Sequence, residues 1–198
     1  MKQTYSINLS GLVFNIDDDA YFELKRYLEQ IENHFANEDE GHEIMTDIEA
    51  RIAELLQERM KGAKQVVAMK DIQEIMGILG DPEEIGEQEN DSGGKKKMKF
   101  GPSGQRRIYR DPDNRILGGV CSGMGAYWQI EPWIFRVIFL IAIIGFVGPI
   151  IYLILWIVIP EARTAAQKLE MKGEPVNISN IGKTVKEEFH NVKDRMNL

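Results

Sequence analysis

The sequence predicts a small α+β cytosolic domain, then a predominantly α-helical membrane module, then an amphipathic C-terminal helix. Three observations carry this prediction. From Val137 to Ile159 there are 23 residues without a charge. A helix of that length, at about 1.5 Å per residue, covers the roughly 30 Å hydrocarbon core of a bilayer. Charge divides the chain: residues 1–90 carry 8 Lys+Arg against 21 Asp+Glu and residues 91–198 carry 16 against 10, so −13 and +6 sum to −7. Ahead of the uncharged run, apolar residues first alternate as in strands and then recur at helical steps of three and four. The 198 residues divide into an acidic domain over 1–88, a flexible basic linker over 89–106, a membrane domain over 107–161 and a helical tail over 162–198.

The acidic half argues against nucleic-acid binding, which needs clustered Lys and Arg to neutralise phosphates. The basic half sits beside the apolar run, where anionic lipid headgroups attract it. The lone cysteine, Cys121, excludes an intramolecular disulfide and supplies no metal constellation. It suits a reducing compartment. The opening MKQTYSINLSGLVFNIDDD lacks an apolar core followed by a small-residue cleavage site. The first domain is therefore expected to stay in the cytoplasm, with the apolar run acting as an internal signal-anchor.

In residues 3–9, Tyr5, Ile7 and Leu9 alternate with Ser6 and Asn8. Ser10-Gly11 is a turn signal and residues 12–16 form a second β-type run, which predicts a hairpin. Asp17-Asp18-Asp19 then supplies an N-cap and a negative first turn. Tyr21, Leu24, Leu28, Ile31 and Phe35 define one helix face, and Ile44, Ile48, Ile52, Leu55, Leu56 and Met60 a second. Residues 65–69 read as a short strand, and Lys70 to Leu79 as a third helix with Ile72, Ile75, Met76 and Leu79 inward, ended by Gly80. These stripes predict a core rather than a cofactor site.

DIEARIAELL (47–56), a short strand and DIQEIMGILGDPEEI (71–85) together resemble the helical cytosolic domains called HAAS. That resemblance implies a domain accompanying bacterial membrane regulators and sigma-factor control. The linker is polar, Gly-rich and basic at its end, a tether without a core. Lys95, Lys96, Lys97, Lys99, Arg106 and Arg107 are placed to touch anionic lipid, at about 1 kcal/mol each near the surface. A merely solvated linker is the alternative.

Residues 107–161 carry Tyr109-Arg110, the run Gly118-Gly119-Val120-Cys121-Ser122-Gly123, Ala126-Tyr127 and Glu131-Pro132. Arg136 before apolar residues and Tyr152-Leu153-Ile154-Leu155-Trp156 leading into Pro160-Glu161 complete the pattern. This segment strongly resembles the phage shock protein C (PspC) domain. The resemblance implies a bacterial inner-membrane module of the envelope-stress response. Such a module signals membrane damage to transcriptional control through protein contacts, without known chemistry, so neither an enzyme nor a cofactor is expected. The large acidic domain in front departs from the best-known members.

Within the module, residues 116–130 read as an interfacial helix, with a helix packed on the span as the alternative, ending in Tyr127 and Trp128, a pair enriched at bilayer surfaces. Glu131-Pro132 starts a membrane helix over 132–159. Arg136, near its entrance, either snorkels to the headgroups or pairs with an acidic residue of a partner membrane protein. Gly145, Gly148 and Pro149 interrupt the middle. One kinked span is favoured over a re-entrant hairpin, whose arms of roughly 21 and 17 Å are too short for two full crossings. Together with Trp156, these residues are the candidate membrane or partner contacts. In the tail, Ile178, Ile181, Val185, Phe189, Val192 and Met196 form a narrow apolar stripe. Ile181, Val185, Phe189 and Val192 are its candidate contacts, to a partner helix, to a membrane surface or back onto the chain itself.

A phosphate loop is excluded because Met124 stands where Gly118 to Gly123 would need a following Lys. Gly119 and Gly123 fit the GxxxG packing signal. His34 and His42 among acidic residues do not have metal-ligand spacing, and Cys121 has no histidine neighbour in sequence. The expected role is a membrane-bound stress regulator whose partners are membrane lipids, other membrane proteins of the system and a cytosolic regulator held by residues 1–88. A self-associating protein that protects the bilayer, possible as a homo-oligomer, and a membrane-tethered sigma-factor trap are the alternatives.

Overall fold

The computed structural model describes residues 3–60, 65–82, 106–144 and 148–196. The chain forms two compact units, one of Met1–Gly101 with Val176–Leu198, the other of Pro102–Pro175.

The first unit opens with an antiparallel hairpin of β1 (Thr4–Leu9) and β2 (Leu12–Asp17). Ser10 and Gly11 close it at φ of 49° and 83°, the positive values that two-residue hairpin turns need. Tyr5 lies opposite Ile16, Ile7 opposite Phe14 and Leu9 opposite Leu12. One face therefore collects the apolar side chains, and Leu9, Phe14 and Ile16 are buried. Three helices supply the rest of the core: α1 (Asp18–Phe35), α2 (Gly41–Arg59) and α3 (Met69–Leu79). Their buried residues follow the predicted stripes, except that Tyr21, Leu28, Met60 and Met76 are only partly covered. Besides Phe35, α1 buries Tyr27, outside the predicted face, and the Tyr27 hydroxyl donates to the Gly80 carbonyl at 2.7 Å. The strand expected over 65–69 shrinks to one parallel bridge between Val67 and Ile16. Val67 N–H donates to Asn15 (2.8 Å) and Asp17 N–H to the Val67 carbonyl (2.9 Å), and α3 begins two residues later.

A helix from the far end of the chain completes this unit. In α8 (Ile178–Met196), Ile178, Ile181 and Val185 are buried. A Cβ on Gly182 would lie 3.2 Å from the Phe35 ring and 3.9 Å from Ile44, which shows how closely α8 approaches α1 and α2. Lys186 Nζ pairs with Glu38 at 2.8 Å. The tail thus docks on its own chain. Its stripe outlasts the groove, however, for Phe189 and Val192 stay 39% and 51% exposed.

The second unit corrects the sequence reading in three places. Instead of one helix over 132–159 it has α5 (Pro132–Ile144) and α6 (Gly148–Val158). The two fold back on one another: the Phe139 and Tyr152 rings meet edge to face at 5.2 Å, and a Cβ on Gly148 would stand 2.7 Å from the Ala142 backbone. With 13 and 11 residues they reach about 20 and 17 Å. Among the described residues no helix is long and apolar enough to cross a membrane. The Gly-Pro break is a hairpin, not a kink.

The helix expected over 116–130 is the nine-residue α4 (Val120–Trp128). It starts late because Gly119, at φ 76°, holds a left-handed conformation that stops helix extension upstream. Ile116 and Leu117 are left exposed ahead of it, while Val120 to Gly123 are buried. Finally, the tail predicted as one piece is split, since residues up to Pro175 belong to the second unit. They include α7 (Ala165–Lys172), whose N-cap Thr164 accepts from Gln167 N–H at 3.3 Å.

Candidate functional site

The second unit is built around the hairpin's base. Arg110 N–H donates to the Pro160 carbonyl (2.8 Å), and Ala162 N–H donates to the Arg110 carbonyl (3.0 Å). The Arg110 guanidinium donates to the carbonyls of Ile159 (2.9 Å) and Gly118 (3.1 Å) and lies over the Trp156 ring at 5.5 Å. The last carbonyls of a helix have no partner within it and carry the negative end of its dipole. Arg110 supplies both the donors and the charge at the end of α6.

Gly123 explains why α4 fits against this base. A Cβ there would collide with the Tyr109 carbonyl oxygen, so only glycine admits the extended segment alongside the helix. The Gly119/Gly123 spacing therefore serves helix-on-strand packing. Behind it Tyr109 packs with Ala162, Met171 and Ala126. Its hydroxyl donates to Glu170 at 3.2 Å, and Arg107 Nε lies 3.8 Å from the same carboxylate oxygen. Burial, and then the Glu170 carboxylate, push the Tyr109 phenol above its ordinary pKa. Lys168 Nζ reaches Asp113 at 2.9 Å, a second tie between α7 and the segment before α4.

Away from this base the hairpin is apolar and open. Among the described residues, seven large apolar side chains on α5 and seven on α6 are exposed, from Trp133 to Ile143 and from Ile150 to Val158. Between the hairpin and residues 114–122 lies a cavity of about 730 Å³. Ile116, Leu117, Val137, Leu140, Leu153 and Trp156 supply apolar lining, with Arg136 and Asn114 among its polar groups. Arg136 Nη2 donates to the Asn114 carbonyl at 3.3 Å, and the Tyr152 hydroxyl donates to the Leu117 carbonyl. Cys121 also lines the cavity, and burial raises its thiol pKa. That is the state of an inert rather than a nucleophilic cysteine.

Four of the residues singled out from sequence, Arg136, Gly148, Pro149 and Trp156, line this one cavity. Tyr127 and Trp128 sit at the end of α4, where Trp128 stacks on Phe135 at 5.6 Å and the Tyr127 carbonyl accepts from Arg106 at 3.4 Å. Ile181, Val185, Phe189 and Val192 belong to the other unit. Gly145 and the linker lysines Lys95, Lys96, Lys97 and Lys99 lie outside the described residues. From sequence, Arg110 and Tyr152 stood out only as motif residues of the family resemblance, without a contact assigned to them, and Asn114 was given no role. For Tyr152 a signal existed, a hydroxyl inside an otherwise apolar run, which needs a buried acceptor.

Residues 106–162 match the family profile described as PspC domain. The chain carries a PspC domain. The match spans 57 of 198 residues, counting 106 through 162, and coincides with the segment whose motifs resemble that family. No curated protein and no solved structure matches the chain. Arg110, Gly123 and the α5–α6 hairpin are thus all elements of the PspC domain, and the domain associates the chain with PspC-type stress-response proteins, which are not known as enzymes.

Proposed function

We propose that this chain is a membrane-surface regulator of a bacterial envelope-stress response. Its PspC hairpin is seated in the inner membrane from the cytoplasmic side, and its acidic head holds a cytosolic regulator. The observation that carries this reading is the hairpin itself, with 14 large apolar side chains exposed among the described residues, seven on each helix. Each such side chain withdrawn from water contributes about 1.5–3 kcal/mol. A surface ion pair contributes about 0–1 kcal/mol, so hydrocarbon insertion dominates the energetics of this unit. Apolar surface on this scale marks a protein or membrane contact.

The docking of α8 supports this topology. Head and tail fold into one unit, which favours the chain on either side of the PspC domain lying on one side of the bilayer. A single crossing would separate them, whereas a hairpin that enters and leaves by one face keeps them together. Arg107, Arg110 and Arg115 before the hairpin and Arg163, Lys168 and Lys172 after it favour the cytoplasmic side. The HAAS-like pattern of the head supports a transcription regulator, such as a sigma factor, as its partner class.

Reporter fusions after residue 101 and after Leu198, combined with flotation of the full chain on membranes, test this. Both reporters are expected to be cytoplasmic on a protein that floats. Reporters on opposite sides, or a chain that stays with the soluble fraction, would sink the reading. Crosslinking in cells before and after membrane damage should change the partners of the head, and an unchanged set counts against its regulatory role.

A further inference from the structure

The cavity between the hairpin and residues 114–122 has the build of a ligand site rather than of a packing defect. Its volume of about 730 Å³ falls within the roughly 300–1,000 Å³ of small-molecule pockets. Its walls come from three separate pieces of the PspC domain: the segment before α4, α5 and α6. That segment is fastened in place by hydrogen bonds from Arg136 to Asn114, from Tyr152 to Leu117 and from Arg110 to Gly118. The walls are mostly aliphatic, and they run into the exposed apolar faces of α5 and α6.

Arg136 is the cation in this lining. Arg115 pairs with Glu161 at 3.6 Å and Arg107 with Glu170 at 3.8 Å, but among the described residues no carboxylate pairs with Arg136. One N–H goes to Asn114, and a guanidinium has five to offer. An apolar slot that runs into exposed apolar helix faces and carries a cation without an ion-pair partner among the described residues is complementary to an anion bearing a hydrocarbon chain.

We infer that this cavity binds one anionic phospholipid, with an acyl chain along Val137, Leu140 and Leu153 and its phosphate on Arg136. The inference rests on the membrane reading above and gives it a ligand: the PspC domain reports on the anionic lipid that fills the slot. Trp156, in the lining, is the natural probe. The experiment uses the full chain carrying Trp128→Phe and Trp133→Phe, reconstituted in phosphatidylcholine vesicles. Phosphatidylglycerol or phosphatidylcholine with brominated acyl chains is then titrated in, and quenching of Trp156 is read.

Brominated phosphatidylglycerol is expected to quench saturably at a mole fraction about tenfold below that for brominated phosphatidylcholine, the effect of one charge-assisted hydrogen bond. Arg136→Gln should abolish that preference, and Arg136→Lys, which restores the charge, should recover it. Equal quenching by both lipids in the unaltered site, or a preference that survives Arg136→Gln, would overturn the inference. Failure of the protein to associate with vesicles at all would refute instead the membrane reading on which it rests.

Discussion

Ile181 is the residue on which the closure of head and tail can be tested most directly. It is fully buried in α8, in the stretch that faces Phe35 and Ile44. Ile181→Ala deletes three carbons of a fully buried side chain and leaves a cavity in the packed face of α8, so the cost is about 2–4 kcal/mol. Since each 1.4 kcal/mol is a factor of ten, amide exchange in α8 should accelerate by roughly 30- to 700-fold where opening is local. Hydrogen exchange read by mass spectrometry on the full chain measures this. The internal control is the outer half of the same stripe. Phe189→Ala and Val192→Ala, at 39% and 51% exposure, should each shift stability by no more than about 0.5 kcal/mol. If all three substitutions act alike, or if α8 amides are unprotected before any substitution, the helix does not dock and the topological argument fails with it.

Gly123→Ala should destabilise the PspC domain by more than about 2 kcal/mol, because the new methyl meets the Tyr109 carbonyl and not a movable side chain. A fall in the melting temperature of the second unit, with the first unchanged, checks it. Gln129 ends α4 at φ 56°, so Gln129→Gly should stabilise the same unit by about 0.5–1 kcal/mol in a thermal melt. Tyr27 gives a pH test. Burial, and then the Asp81 charge, raise its phenol pKa above the ordinary value near 10. The folded state therefore holds the proton more tightly than the unfolded chain, and this stabilisation is full below pH ~10 and lost as pH climbs towards the folded pKa. Tyr27→Phe should cost about 1 kcal/mol at neutral pH through the lost bond to Gly80, yet flatten the decline of the first unit's stability above pH ~10.

Much of this architecture is local and therefore readable from the sequence. Strand alternation at Tyr5, Ile7 and Leu9 and the Ser10-Gly11 turn predicted a hairpin, and β1 and β2 form it as an antiparallel pair. The three- and four-residue steps from Leu24 to Leu79 predicted the helical stripes, because a buried face must repeat with the helix period. The PspC motifs were likewise visible as residues at fixed spacing. Arg136, Gly148, Pro149 and Trp156 were singled out from sequence, though nothing there showed that they line one cavity.

Tertiary structure decided how those pieces close. A run of apolar residues with a Gly-Pro break is compatible with a kinked helix and with a hairpin, and arm length alone favoured the kinked span, since local propensity only weakens the helix at that point. The hairpin is selected at a distance, by Gly148 seated on Ala142 and by Arg110 and Tyr152 bonding to carbonyls far away in sequence. The tail stripe is degenerate in the same way, for an amphipathic face fits a partner, a membrane or its own chain. The sequence by itself determined that α8 carries an apolar stripe in need of a cover; only the packing of α8 on Phe35 and Ile44 decided that Ile178, Ile181 and Val185 find it within the chain while Phe189 and Val192 stay exposed.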